Sequence, residues 1–96
     1  MSIAANETIL TGGWIFDGTT NRADPVCERI HWLTAHYLKK LAISPQWGDW
    51  EVIYLDPADG RYWELTYPEG ELQGGGPPQL KTLPSDEAQQ KYGLGK

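Results

Sequence analysis

The chain has 96 residues, 40% of them hydrophobic, with five Trp, five Tyr and one Phe and a formal charge of −5. That length gives one small domain with a real core, expected over about residues 10–93 with loose termini, and the aromatic supply excludes disorder. The acidic balance argues against nucleic acid, whose binders concentrate positive charge; the single cysteine, Cys27, excludes an internal disulfide and fits a reducing, cytoplasmic setting; and no apolar run approaches the ~20 residues that span a bilayer.

The opening MSIAANETIL has no basic segment followed by an apolar one, so no secretory signal is expected. No internal repeat is present. GWIF, residues 13–16, is an apolar run of β-formers, DGTT at 17–20 is a turn signal, and a short return strand to Ala23 follows.

Asp24 then suits an N-cap and Pro25 the first helical position. Val26, Ile30, Leu33, Tyr37 and Leu41 recur at steps of three and four, one apolar helix face, and Lys39 and Lys40 complement the dipole near its end. SPQWGD, residues 44–49, ends this helix with a proline and a glycine.

Next come WEVIYL, 50–55, and RYWELTY, 61–67, joined by DPADG: two strands and a five-residue hairpin loop that ends in a glycine able to take positive φ. Setting Tyr54 opposite Tyr62 places Ile53, Leu55, Trp63 and Leu65 on the core face. Trp50, Val52, Tyr54, Tyr62, Glu64 and Thr66 fall on the other, and a one-residue slip would exchange the faces of one strand. QLKTL, 79–83, is the last strand, and SDEAQQKYG a short helix capped by Ser85 and stopped by Gly93. The order ββ-α-ββ-β-α with tight turns gives an α+β fold, a small antiparallel sheet packed on one main helix.

Gly74, Gly75 and Gly76 run into Pro77 and Pro78. A phosphate loop needs Lys-Ser or Lys-Thr and a helix after its glycines, and prolines lack the N–H donors such a loop uses. Too few residues follow for the stretch to link a second domain. A shaped turn aiming the last strand fits best.

His31 and His36 are five apart and point in different directions on a helix, which is no zinc pair. Asp24, Glu28 and His31 could share a side and hold a metal, but a solvated face explains them more simply. Cys27, at the edge of the apolar stripe, reads as a small buried hydrophobe. Asp56 and Asp59 could act as an acid–base or magnesium pair, yet turn capping accounts for both. Trp32, off the stripe, is either a satellite packing position or an exposed contact for a partner. No catalytic residue, metal or cofactor is expected.

From Asp49 to Glu71 there are seven acids and one base, a net of −6 that leaves +1 for the rest of the chain. Trp50, Tyr54, Tyr62, Trp63 and Tyr67 are interleaved with them. A merely solvated surface mixes its signs. This one suits a protein partner with a basic surface, anchored by aromatics and steered by acids. The candidate contacts are Trp50, Tyr54, Asp56, Asp59, Arg61, Tyr62, Glu64, Glu69 and Glu71, with Gly74, Gly75 and Gly76 as backbone contacts or a structural turn.

DGRYWELTYP, 59–68, followed by GGGPP, 74–78, and preceded by GGWIF and a helix carrying CERI, resembles the immunity protein 27 family of bacterial polymorphic toxin systems. The resemblance covers about residues 10–93. It implies a non-enzymatic cytoplasmic antidote that binds the toxin domain encoded beside it, with nuclease-like toxins one common kind. The motif positions carried over are Asp59, Gly60, Arg61, Tyr62, Trp63, Glu64, Gly74, Gly75, Gly76, Pro77 and Pro78. An adaptor using the same surface for another basic protein is the alternative.

Overall fold

The computed structural model describes residues 3–16, 18, 21–46, 48–68 and 76–94. Strands β1 (Ile9–Thr11), β2 (Trp14–Phe16) and β3 (Asn21–Ala23) precede helix α1 (Pro25–Trp32) and a π-helical turn, Leu33–Tyr37. Strands β4 (Lys39–Ser44), β5 (Gly48–Leu55), β6 (Tyr62–Thr66) and β7 (Gln79–Leu83) follow, and helix α2 (Ser85–Tyr92) ends the fold. Five strands form one antiparallel sheet in the order β1-β7-β6-β5-β4, while β2 and β3 form a separate ribbon. The α+β expectation holds, with β1 and β4 as unforeseen additions at the two edges.

Helix α1 starts as its sequence dictates. The Asp24 carboxylate accepts the Cys27 backbone N–H at 2.8 Å and Pro25 occupies the first turn. It ends much earlier than the apolar periodicity suggests. Thr34 Oγ1 donates to the carbonyls of Ile30 and His31, and the Leu38 N–H closes the wider π turn on Leu33 O at 2.7 Å. Tyr37 is meanwhile held by its hydroxyl, which donates to Asp56 Oδ1 at 2.9 Å. Leu38 is already extended, and Lys39 and Lys40 lie across from Leu55 and Tyr54 on β4 rather than at a helix C-terminus. Tertiary pairing with β5 thus overrides local helical spacing. Leu41 belongs to a bulge in that pairing, where the register shifts between Lys40 and Ala42.

The β5–β6 register differs by one residue from the expected one. Val52 faces Leu65, Ile53 faces Glu64, Tyr54 faces Trp63 and Leu55 faces Tyr62. Because side chains alternate with period two, this exchanges the faces of β5. Val52, Tyr54, Trp63, Leu65 and Leu80 form the main core with Ile30, Leu33 and Leu38. Ile53 instead packs on the opposite face with Ala88 and Tyr92 of α2, joined by Leu41, Tyr62 and Leu83. The sheet is therefore covered on both faces, α1 on one and α2 on the other. Full burial of Trp63 and Leu80 on the first face contributes about 2–3 kcal/mol per side chain relative to exposure. Helix α2 begins at Ser85, with Pro84 in the cap position and no side-chain cap, so Ser85 is the first helical residue and not the cap. Gly93 stops the helix in the left-handed region at φ 68°.

Candidate partner-binding surface

The aromatic and acidic hairpin divides into two ends. Its loop end is built by DPADGR. Asp56 is fully buried, and its Oδ1 accepts the Tyr37 hydroxyl and the Ala58 N–H at 2.8 Å. Its Oδ2 has no hydrogen-bond partner among the described residues. Gly60 takes φ 77°, closing the loop with its N–H on Asp56 O at 2.8 Å. Asp59 accepts both the Arg61 backbone N–H and Arg61 Nε, which holds its carboxyl below the usual range.

Arg61 then reaches away from the loop. Nη1 donates to Glu7 O at 2.6 Å and Nη2 to Ala4 O at 3.2 Å, with the guanidinium 5.0 Å from the centre of the Trp63 ring. Glu7 is gripped in turn by both Nη atoms of Arg29 at 2.7 Å, which lowers its carboxyl to about 2. The loop end is thus a clamp on the segment 4–7. The Asp56 carboxylate also raises the Tyr37 hydroxyl above its ordinary value.

Glu64 lies on the α2 face and is 3% exposed. Its Oε2 accepts Lys91 Nζ at 2.6 Å and the Tyr92 hydroxyl at 2.7 Å. Lys91 Nζ also lies 3.1 Å from Glu51 Oε1, an ion pair outside hydrogen-bond alignment. Burial, and after it Glu64, pushes the Tyr92 hydroxyl up. Burial works against the charge of Lys91, yet the Glu64 and Glu51 carboxylates hold its ammonium above its ordinary value. Three acids of the focused stretch, Glu51, Asp56 and Glu64, are therefore drawn into the fold, and the exposed Asp59 is paired with Arg61 in the loop.

The other end of the hairpin differs. Trp50 is 52% exposed, and its indole meets the Tyr67 ring edge-on, with centroids 5.4 Å apart. Ile43, opposite Val52 on the neighbouring edge strand, is 43% exposed. Exposed large apolar side chains on neighbouring strands of a small domain mark an interaction surface. At the same end of the sheet, Gly12 donates to Pro78 O at 2.9 Å, and Gly76 turns the chain at φ 70°. Gly12 has no room for a side chain: a Cβ would lie 2.5 Å from Cys27 Sγ and 2.8 Å from Pro78 O.

The sequence-derived contacts are thus separated. Trp50 is exposed. Tyr54, Asp56 and Glu64 are buried, Tyr62 is half-buried against the α2 side, and Arg61 and Asp59 hold each other. Six steps along the chain separate Trp50 from Asp56, about 20 Å at ~3.3 Å each in a strand. Glu69, Glu71, Gly74 and Gly75 lie outside the described residues. Ile43 is a new member of the surface, and Tyr67, an aromatic of the acidic stretch outside the expected contacts, joins it. The bulge at Leu41 breaks the period-two alternation of KKLAIS, so Leu41 packs on the α2 side while Ile43 lies opposite Val52, and no spacing in the sequence marks Ile43. Asp24 of the candidate metal face is engaged as the α1 cap, and no three His, Cys, Asp or Glu side chains converge on a metal-sized site among the described residues. Trp32 is 39% exposed and lies against His36, with ring centroids 5.4 Å apart. No helix among the described residues is long and apolar enough to cross a membrane.

The family model described as Immunity protein 27 matches residues 16–84, most of the chain. No curated protein and no solved structure gave a significant match.

Proposed function

The chain belongs to the immunity protein 27 family, and from that premise we propose that it neutralises a cognate toxin domain by a reversible, stoichiometric complex formed at the Trp50 end of the sheet. The carrying observation is the half-exposed Trp50 indole, braced by Tyr67, with Ile43 exposed on the neighbouring strand. A rigid aromatic on a sheet is the kind of anchor that dominates binding energy when a partner pocket desolvates it. The family supports a non-enzymatic role, and antidotes of this kind act in the cytoplasm that their toxin would damage.

The charge of −5 supports a partner with a basic surface, a nuclease-like toxin among them. Since Asp56 and Glu64 are engaged within the fold, steering comes from the summed field of the molecule rather than from those two side chains. Co-expression with the toxin gene encoded beside it tests the reading: protected cells and a co-eluting pair are expected. Trp50→Ala should weaken the purified complex about 30-fold or more. Cells that die regardless, with the two proteins eluting apart, would reject the immunity reading and favour an adaptor for another protein.

A further inference from the structure

Three separated pieces of the sequence converge at the Trp50 end of the sheet. Pro68 closes the DGRYWELTYP run, Pro77 and Pro78 close GGGPP, and Gly12 opens GGWIF. Together with Thr11 and Gln79 they line a pocket of about 330 Å³. β-sheet register explains the meeting: Thr11 pairs with Gln79 and Gln79 with Thr66, so the next row along the sheet holds Gly12, Pro78 and Tyr67.

None of these lining residues is charged. Two of the polar pairs engage each other: Gln79 Nε2 donates to Thr11 Oγ1 at 3.2 Å, and the Gly12 N–H to Pro78 O at 2.9 Å. Among the described residues, the apolar surface left to meet an occupant is the exposed ring of Pro68 and the half-buried ring of Pro77, with Pro78 buried beneath them. Flat, rigid proline rings are the surfaces on which aromatic side chains pack in proline recognition. The volume is at the small end of binding pockets, enough for one ring-bearing side chain. Pro68 follows Tyr67 directly, and Tyr67 braces Trp50, so the pocket continues the exposed aromatic surface.

We propose that this pocket receives one aromatic side chain of the toxin, so that the complex is anchored twice, by Trp50 entering the toxin and by a toxin ring entering the proline-walled pocket. The inference rests on the immunity reading and adds the partner's chemistry at this site. It gives the prolines of GGGPP a role in recognition besides turning the chain.

Gln79→Trp fills the pocket from its rim without touching the buried core. With the cognate toxin domain as probe, it should weaken binding at least about tenfold while the thermal unfolding midpoint of the free protein stays in place. Pro77→Ala, which removes one wall, should weaken binding by a smaller factor, and replacing the inserted aromatic on the toxin by Ala should make Gln79→Trp harmless. If wild type binds the toxin and both variants bind equally well, the pocket proposal is overturned and the immunity reading stands. If wild type does not bind the toxin, both fall. A free chain that self-associates, and does so less in Gln79→Trp, would assign the pocket to a second copy and also overturn the proposal.

Discussion

At one end of the β5–β6 hairpin sit Asp56, Asp59 and Arg61; at the other sit Trp50 and Tyr67. Both ends carry residue types that recognition surfaces favour, and only one leaves them available. At the loop end each charge meets a neighbour: Asp56 takes Tyr37 and Ala58, Asp59 takes Arg61, and Arg61 reaches the carbonyls of Ala4 and Glu7. At the other end the indole of Trp50 leans on the Tyr67 ring and has half of its surface in water. A concentration of acids in the sequence therefore does not by itself make an acidic docking site. Its charges can be drawn inward to hold the fold, because a buried carboxylate is tolerated only where donors surround it.

Substitutions at the two ends should separate stability from binding. The largest effect on stability is expected at the clamp. Arg61→Ala removes two charge-assisted bonds to backbone carbonyls, the pair with Asp59 and the packing over Trp63, and should cost about 2 kcal/mol in chemical denaturation. Arg61→Lys should recover only part of it, since an ammonium lacks the planar fork. If Arg61→Ala instead left stability unchanged and weakened the toxin complex, the loop end would be the docking surface and the comparison would be reversed.

A smaller effect belongs to Glu7, further along the same clamp. Its folded-state value of about 2 lies below the ordinary 4.5, so its contribution is fully present above about pH 5 and is lost as pH falls towards 2. For a pair about a quarter exposed, about 1 kcal/mol is expected after solvent screening. Unfolding midpoints of wild type and Glu7→Gln should differ at pH 7 and converge near pH 2. A constant difference across that range would show that the carboxylate charge contributes nothing.

The smallest effect on stability is expected at Trp50. Trp50→Ala forfeits one edge-on ring contact on the surface and should shift stability by only about 0.5 kcal/mol, set against its large expected effect on the toxin complex. A loss comparable to that of Arg61→Ala would make Trp50 a packing residue and remove the contrast between the ends.

Local chemistry was readable from the chain without its fold. Asp24 and Pro25 start a helix because an Asx cap and a fixed proline φ act within one turn. Gly60 and Gly93 mark a hairpin loop and a helix stop because only glycine enters the left-handed region without a Cβ penalty. The runs 50–55, 61–67 and 79–83 are strands because their β-branched and aromatic residues suit a pleated surface, and DGRYWELTYP with GGGPP carried the family. What required the tertiary structure was everything set by pairing. The spacing of Val26, Ile30, Leu33 and Tyr37 continues smoothly into Leu41, yet the α-helix gives way to a π turn at Leu33 and the helical run ends at Tyr37, since the Tyr37–Asp56 contact and the β4–β5 ladder outweigh the ~0.5 kcal/mol per residue at stake in propensity. One residue of register moved Tyr54 into the core and put Ile53 under α2. Glu64 lay on the second face in either register, but the closure of α2 over that face is what buried it. The sequence by itself determined which residues this protein has for recognition. Register and helix packing, which depend on contacts between segments far apart in the chain, decided which of them reach the surface.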